Sequence, residues 1–451
     1  WYAGPFDVAL GLEWRSDDVA FEADPILFTG DTLGYRGNAP VNGEESVAEV
    51  YFEGILPLYE DVGGAGRFEA EFGGRYSSYD NAGGVWTYKI GTNWQINNAL
   101  RLRAMAQHAV LAPNSLELFQ EQFTESFVAV WDPVDDPCSA SQDPVGNGIV
   151  DKCVKQGLAE SEVGIFEATV GFPVDFVQGG NPDLLPEEAD TLTVGLIITP
   201  ESMPDWNIAI DYFEMEIEDG IGGIDAYNIC FDTSNKSGLF CDKIQRGPTG
   251  DMRRFEELFN NRGLFSTHGI DLQVNYAGDA PSWMGGDRGN QLGFDLVWTR
   301  TMSYKEQENP ASSKIDGVGF FGLPFGNVGG TVPKNRIAAG FSYSTDNLGV
   351  ILSTNWIGGT NNWAAVDHKY FGGTPNNVAI PSVEEQFYAD LHFRYNFNDD
   401  ISMGFGISNL FDSEPPQMAF GAGTGNNTDT GLYDVFGRSY RVTFSYRVGG
   451  P

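Results

Sequence analysis

Alternation between apolar and polar side chains constrains the fold of this chain more than any other feature. In the last such segment, five apolar side chains from Tyr440 to Val448 alternate with serine, threonine and arginine. The same alternation covers residues 270–276 and 387–397. A period of two residues predicts β-strands with one apolar face and one polar or ionic face. We therefore expect an all-β protein.

The pattern predicts about 14 strands, and the connections between them alternate in length. Short turns such as Asn97-Asn98 and Asp346-Asn347 alternate with long loops, with Asp80 to Gly83 as the one brief connection on the long side. Compact domains seldom carry several long structureless loops, whereas bacterial outer-membrane barrels have short periplasmic turns and long extracellular loops. The predicted strands are 5–15, 47–57, 67–79, 84–95, 99–111, 187–199, 205–217, 264–277, 290–304, 333–344, 348–358, 382–397, 401–411 and 433–448.

This arrangement predicts one antiparallel transmembrane β-barrel domain over residues 1–451. Periodicity alone does not exclude a soluble β-sandwich or barrel, which would bury the apolar face. Aromatic residues favour the membrane, because Trp94 and Trp206 lie at one end of their strands and Trp14 and Trp298 at the other, as two interfacial girdles would. Aromatic core packing in a soluble β-protein is the alternative. The long loops are expected near 16–46, 112–186, 218–263, 305–332, 359–381 and 412–432.

Composition and motifs exclude several other classes. The 26 Lys and Arg residues against 63 Asp and Glu give a formal net charge of -37, which repels nucleic acid. No run of about 18 apolar residues could form a transmembrane helix. The N-terminus is not a signal peptide and looks like the middle of a strand, as if the chain began inside a larger protein. Because the sequence has no P-loop, H-E-x-x-H or G-x-S-x-G motif, we expect neither an enzyme nor a cofactor.

The four cysteines fall into two close pairs, Cys138 with Cys153 and Cys230 with Cys241. Each pair would close a polar loop, which favours two disulfides in an oxidising compartment. Four free thiols are the alternative.

One predicted strand changes the face that carries its apolar residues. Trp206, Ile208, Ile210 and Tyr212 share one face, but the apolar residues from Phe213 to Ile217 occupy the other. A β-bulge would cause this change, and so would a strand that leaves the bilayer.

Four sequence stretches resemble the barrel of TonB-dependent outer-membrane receptors. VLAPNSLELF at 110–119 resembles an Arg-Ala-Pro-Asn-type strand end of that family, with Leu111 where arginine is usual. The other three stretches are GNPDLLPEEADTLTVGL at 180–196, FNNRGLFSTHGIDLQVNY at 259–276, and SNLFD at 408–412 together with YDVFGRSYRVTFSYRV at 433–448.

The resemblance implies a barrel of 22 strands around an N-terminal plug, of which this chain would supply the last two thirds without the plug. It also implies the partners: outer-membrane lipid and lipopolysaccharide, the protein's own plug domain, the TonB energy-transducing complex and an extracellular ligand. That ligand would be a metal-siderophore, cobalamin, haem or an oligosaccharide, taken up by loop capture and energy-coupled plug movement. A passive porin is the alternative, and a secreted soluble β-rich binding protein is a third reading.

The long loops contain two sets of candidate site residues. Hard oxygen ligands on a Gly/Asn-rich turn suit Ca²⁺, which makes Asp143, Asn147 and Asp151 a candidate calcium site, with a solvated loop as the alternative. Loop aromatics could stack on a ligand or pack the loops against one another. The aromatic candidates are Trp131, Tyr227, Phe231, Phe320, Phe321, Trp363 and Tyr370.

Overall fold

Fourteen antiparallel strands, each paired with the next in chain order, form one large sheet in the computed structural model of this protein. The structure describes residues 3–28, 39–61, 66–129, 136–168, 172–232, 234–307, 309–323, 330–366, 380–418 and 427–448. The strands are β1 (Asp7–Phe21), β2 (Val41–Glu60), β3 (Arg67–Tyr79), β4 (Gly83–Asn97), β5 (Leu100–Leu111), β6 (Glu187–Ile198), β7 (Trp206–Glu218), β8 (Leu264–Asp279), β9 (Gln291–Gln307), β10 (Asn335–Ser344), β11 (Leu348–Ile357), β12 (Gln386–Asn396), β13 (Ile401–Ser408) and β14 (Ser439–Tyr446).

The predicted fold class is confirmed, and the largest errors concern the ends of the first hairpin and the start of the last strand, which begins at Ser439 rather than at 433. β1 continues to Phe21 and β2 begins at Val41, so the first loop is shorter than predicted. Directly opposite pairs in this extension include Asp17 with Glu45 and Asp18 with Glu44. These residues are polar on both faces, so they carry no alternation from which a strand could be predicted.

The sheet buries little apolar surface of its own. Leu10, Leu12 and Trp14 of β1 are at least 70% exposed. The four clusters of buried apolar side chains found in the described residues lie in the long loops or at the strand ends next to them. An apolar strand face without a protein partner is what a barrel wall presents to lipid.

The change of face in β7 does not come from a bulge within that strand. β7 pairs with β8 in an unbroken register from Trp206 to Ile217. The neighbouring register shift lies between His268 and Gly269, where β8 pairs with β9. β7 therefore carries apolar side chains on both of its faces, each over a different part of its length.

Short elements occupy the long loops. No helix among the described residues is long and apolar enough to cross a membrane. The α-helices are α1 (Pro25–Phe28), α2 (Ser115–Phe119), α3 (Val150–Lys155), α4 (Ala226–Phe231) and α5 (Trp363–Val366), and the short loop strands are Phe123–Ala129, Phe172–Gln178, Ile221–Gly223, Ile244–Arg246, Met252–Glu256, Phe259–Asn261, Ile315–Asp316, Phe320–Phe321, Thr360–Asn362 and Ser382–Val383.

Candidate functional site

The candidate functional site is the rim of the sheet that carries the long loops. The described parts of the loops 112–186 and 218–263 combine there into one unit, which we call the loop module. The strands Phe172–Gln178 and Met252–Glu256, one from each loop, pair in parallel within a four-stranded sheet. The two loops therefore fold together rather than independently.

Two disulfides lie inside the loop module. Cys138 is bonded to Cys153, and Cys230 is bonded to Cys241. All four cysteines are buried, and each pair belongs to its own apolar cluster. Phe231 packs against both clusters, so the two disulfide-bonded segments form one continuous core.

A buried ion pair connects the two loops of the module. The Arg246 guanidinium donates to both carboxylate oxygens of Asp136, with Nη1 at 2.7 Å from Oδ2 and Nη2 at 2.8 Å from Oδ1. The two side chains are only 0% and 4% exposed. Arg246 also donates to Gln156 Oε1 and to the Gly250 carbonyl, so its guanidinium forms four hydrogen bonds. Removal of either partner would leave the other charge buried without an opposite charge, which is strongly destabilising. The pair therefore stabilises the contact between the two loops.

The second group of loops forms a separate apolar cluster over the later strands. Phe321, Ile357, Val383, Met418 and Tyr433 are buried together, so at least four segments of the chain meet there. Burial raises the pKa of Tyr433 to about 12. This phenol is therefore neutral near pH 7.

The candidate ligand-binding aromatics mostly pack the loops. Phe321 is 0% exposed and Trp363 is buried, with Phe320 at 5.1 Å from Trp363 between ring centroids. Tyr227 and Phe231 are partly buried against the disulfide core, with ring centroids 5.2 Å apart. Of the two roles that the sequence allowed, this burial favours packing. Trp131 and Tyr370 lie outside the described residues.

The candidate calcium residues serve local turn geometry. Asp143 Oδ1 accepts a hydrogen bond from the Gly146 amide at 2.9 Å, and the Asn147 side chain donates to the Gln142 carbonyl at 2.7 Å. Asp151 lies in the first turn of α3. In the described part of the chain, no group of three His, Cys, Asp or Glu residues is arranged to hold a metal ion.

The ionic face of the sheet carries ion pairs between different strands. We call the face that carries Asp211 and Asp271 the ionic face. Arg103 reaches from β5 across Gly195 of β6 to Asp211 of β7, with Nη2 at 2.8 Å from Oδ1. Sequence reasoning missed the pairs of Arg75 with Glu49 and of Lys89 with Glu71, because their register was unknown.

Comparisons with known proteins agree with this architecture. The family model described as "TonB dependent receptor-like, beta-barrel" matches residues 1–410. The siderophore receptor PirA of Acinetobacter baumannii is 17% identical with a TM-score of 0.58, over 99% of this chain and 52% of that one. A ferric enterobactin receptor of Pseudomonas aeruginosa, solved with enterobactin, is 13% identical with a TM-score of 0.59, over 98% and 51%.

A third solved structure, the FrpB iron transporter of Neisseria meningitidis, is 13% identical with a TM-score of 0.51, over 98% of this chain and 52% of that one. The chain thus spans about half the length of these solved structures. No curated protein sequence matches it. These comparisons confirm the resemblance that the sequence motifs indicated.

Proposed function

Since the chain belongs to the family of TonB-dependent receptor-like β-barrels, we propose that it forms barrel wall and ligand-capturing loops of an outer-membrane receptor for a scarce nutrient. The observation that carries this proposal is the sheet of 14 amphipathic strands with structured long loops on one rim. Known relatives of this fold are transport receptors rather than enzymes.

A metal-siderophore is the ligand class that we place first. Two of the similar structures are siderophore or ferric enterobactin receptors, although identities of 13–17% support a shared fold alone. The net charge of -37 argues against a bare anion, whereas a metal-chelate complex can neutralise the negative groups of its own ligand. Cobalamin, haem and oligosaccharides are the other classes in the proposal.

The two faces of the sheet would have different partners. The apolar face would contact lipid and, at its outer end, lipopolysaccharide, because the exposed side chains of β1 are aliphatic and aromatic. The ionic face would line the interior and contact a plug domain of the full-length protein. Movement of that plug, powered through the TonB complex, would release the captured ligand inwards. Residues 1–451 would then form part of a single barrel domain.

Uptake by the full-length protein tests the proposal. Cells that express it, with and without a functional TonB complex, are given labelled metal-siderophores, cobalamin, haem and oligosaccharides. We expect saturable uptake of one class that stops without TonB. Uptake of small solutes that continues without TonB would indicate a passive porin. A full-length protein that remains monodisperse without detergent would contradict membrane insertion altogether.

A further inference from the structure

The change of face in β7 places apolar side chains on the ionic face at the long-loop end of the sheet. Because the register is unbroken, Phe213, Met215 and Ile217 share a face with Asp211. Ile217 of β7 lies opposite Phe265 of β8, which lies opposite Glu306 of β9. These three side chains therefore form one row across three strands. An apolar surface on an otherwise ionic wall is a candidate for binding.

This row lines a cavity of about 250 Å³ at the base of the loop module. Ile221, Arg262 and Leu264 form other parts of its wall. The wall is tightly packed at Gly263, because a Cβ atom at this position would lie 1.6 Å from the Gln307 carbonyl oxygen. Only glycine allows the loop to approach β9 so closely at this point.

Two charged groups, Arg262 and Glu306, line this cavity without a direct ion-pair contact or a side-chain hydrogen bond among the described residues. The Arg262 guanidinium lies against Gly222 and forms no ion pair or side-chain hydrogen bond with the residues that the structure describes. Within the same described ranges, Glu306 Oε2 is sealed from solvent and accepts no hydrogen bond. Arg262 and Glu306 attract each other electrostatically, but their charged atoms do not come within ion-pair distance, and both line the cavity. A charge that is partly removed from water and unpaired is costly, so a complementary ligand would be stabilising.

Two further polar side chains of the wall already form hydrogen bonds. Glu187 Oε1 accepts from the Ile221 amide at 2.6 Å. The Gln307 side chain donates to the Ser312 carbonyl at 2.8 Å. Among the described residues, the cavity therefore presents one guanidinium without an ion-pair contact, the carboxyl groups of Glu306 and Glu187, and an apolar surface.

We propose that this cavity binds a small molecule, or the end group of a larger one, that carries an ammonium and a carboxylate beside a short apolar chain, as an amino acid does. Arg262 would bind the carboxylate through two parallel N–H donors, the geometry in which guanidinium groups are strongest. Glu306 would accept from the ammonium through Oε1, because Oε2 is sealed from solvent, and the apolar chain would lie on Ile217 and Phe265. A zwitterion has no net charge, so it would not be repelled by this acidic protein as a simple anion would.

Binding of three matched probes to the full-length protein in detergent tests this proposal. L-Leucine has both charged groups, 4-methylpentanoate lacks the ammonium, and 3-methylbutylamine lacks the carboxylate. Titration by calorimetry or saturation-transfer NMR should show that leucine binds at least about 10-fold more tightly than either analogue. Absence of saturable leucine binding up to about 10 mM would overturn the proposal, as would equal binding of all three probes.

Two variants assign the contacts, with one matched control. Arg262→Gln should weaken leucine binding at least about 10-fold, and Glu306→Gln should remove the preference for leucine over 4-methylpentanoate. Arg288→Gln, at an exposed position on the opposite rim, should bind like the wild type. Unchanged leucine affinity in Arg262→Gln would contradict the assignment, and thermal unfolding checks that each variant is folded.

Use of this cavity in uptake rests on the proposed function, but binding itself does not. If uptake proves independent of TonB while leucine still binds through Arg262, the proposed function fails and the cavity assignment stands. If uptake depends on TonB while leucine does not bind, the cavity assignment fails alone.

Discussion

At the scale of single residues, the buried pair of Arg246 and Asp136 gives the strongest prediction. Arg246→Met removes a charge that is hydrogen-bonded to Asp136, Gln156 and Gly250, and it leaves the Asp136 carboxylate buried without compensation. We expect the loop module to lose about 3–5 kcal/mol of stability. Hydrogen exchange should show the loss as weaker protection of 172–178 and 252–256, the strands that join the two loops.

The exposed pair of Arg438 and Asp412 is the control for this experiment. Its side chains are 37% and 54% exposed, so solvent screens the interaction. Arg438→Gln should leave the protection of the loop module unchanged. If Arg246→Met also left the hydrogen-exchange protection of the loop module unchanged, the ion pair could not be what joins the two loops.

Glu257 makes the stability of the loop module depend on pH. Burial raises its pKa to about 7, with a smaller contribution from the negative charge of Asp225. The folded state therefore holds a proton that the unfolded state releases near its ordinary value of 4.5, so stability is full at low pH and falls as pH rises from about 4.5 to 7.

The substitution Glu257→Gln removes this titration and keeps a group that can form hydrogen bonds. At pH 8 the variant should be more stable than the wild type by about 1–2 kcal/mol, a value reduced from the full shift because Glu257 is partly solvated. At pH 4 the two proteins should unfold alike. Thermal unfolding at both pH values measures the difference. A wild-type protein that becomes more stable between pH 5 and 7 would contradict the predicted direction of the pH dependence.

At the scale of strands, glycine allows charged side chains to cross the ionic face. A Cβ at Gly195 would lie 2.1 Å from Asp211 Oδ1 and 2.7 Å from Arg103 Nε. Gly195→Val should therefore separate this pair and cost about 1–3 kcal/mol, measured by unfolding from lipid or detergent. At Gly349 a Cβ would meet no atom within 4 Å, so Gly349→Val should cost clearly less. Equal losses would show that the cost comes from the strand backbone rather than from the crowded pair.

Strands could be predicted from this sequence because the two faces of a strand have different surroundings. Apolar and polar residues therefore alternate along the chain with a period of two. β3 was predicted as 67–79 and is found at those residues. The ends of β1 and β2 were missed because Asp17 and Glu45 continue the ladder with polar residues on both faces. The strands pair in that extension through backbone hydrogen bonds, so the pattern of polar and apolar side chains does not indicate the pairing.

At the scale of the whole molecule, the long loops were the least predictable part. The sequence placed the cysteine pairs in two separate loops, but nothing in their spacing indicated that Phe231 would join both pairs in one core. The cavity that Arg262 lines could not be predicted either, because its wall includes the close approach of Gly263 to β9. Contacts between distant loops depend on tertiary geometry, whereas alternation is local.

The orientation of the sheet in the membrane is the prediction on which the transport proposal depends most. Phe341 and Ser342 are neighbours on β10 and point to opposite faces, and all four cysteines of the chain are in disulfides. A single cysteine introduced at either position would therefore be the one free thiol within residues 1–451. A fluorophore at Phe341→Cys should be quenched by brominated lipid, because that face would contact acyl chains, and one at Ser342→Cys should be quenched by iodide from the aqueous interior. Quenching of neither label by lipid would mean that the apolar face packs against protein, as in a soluble β-structure.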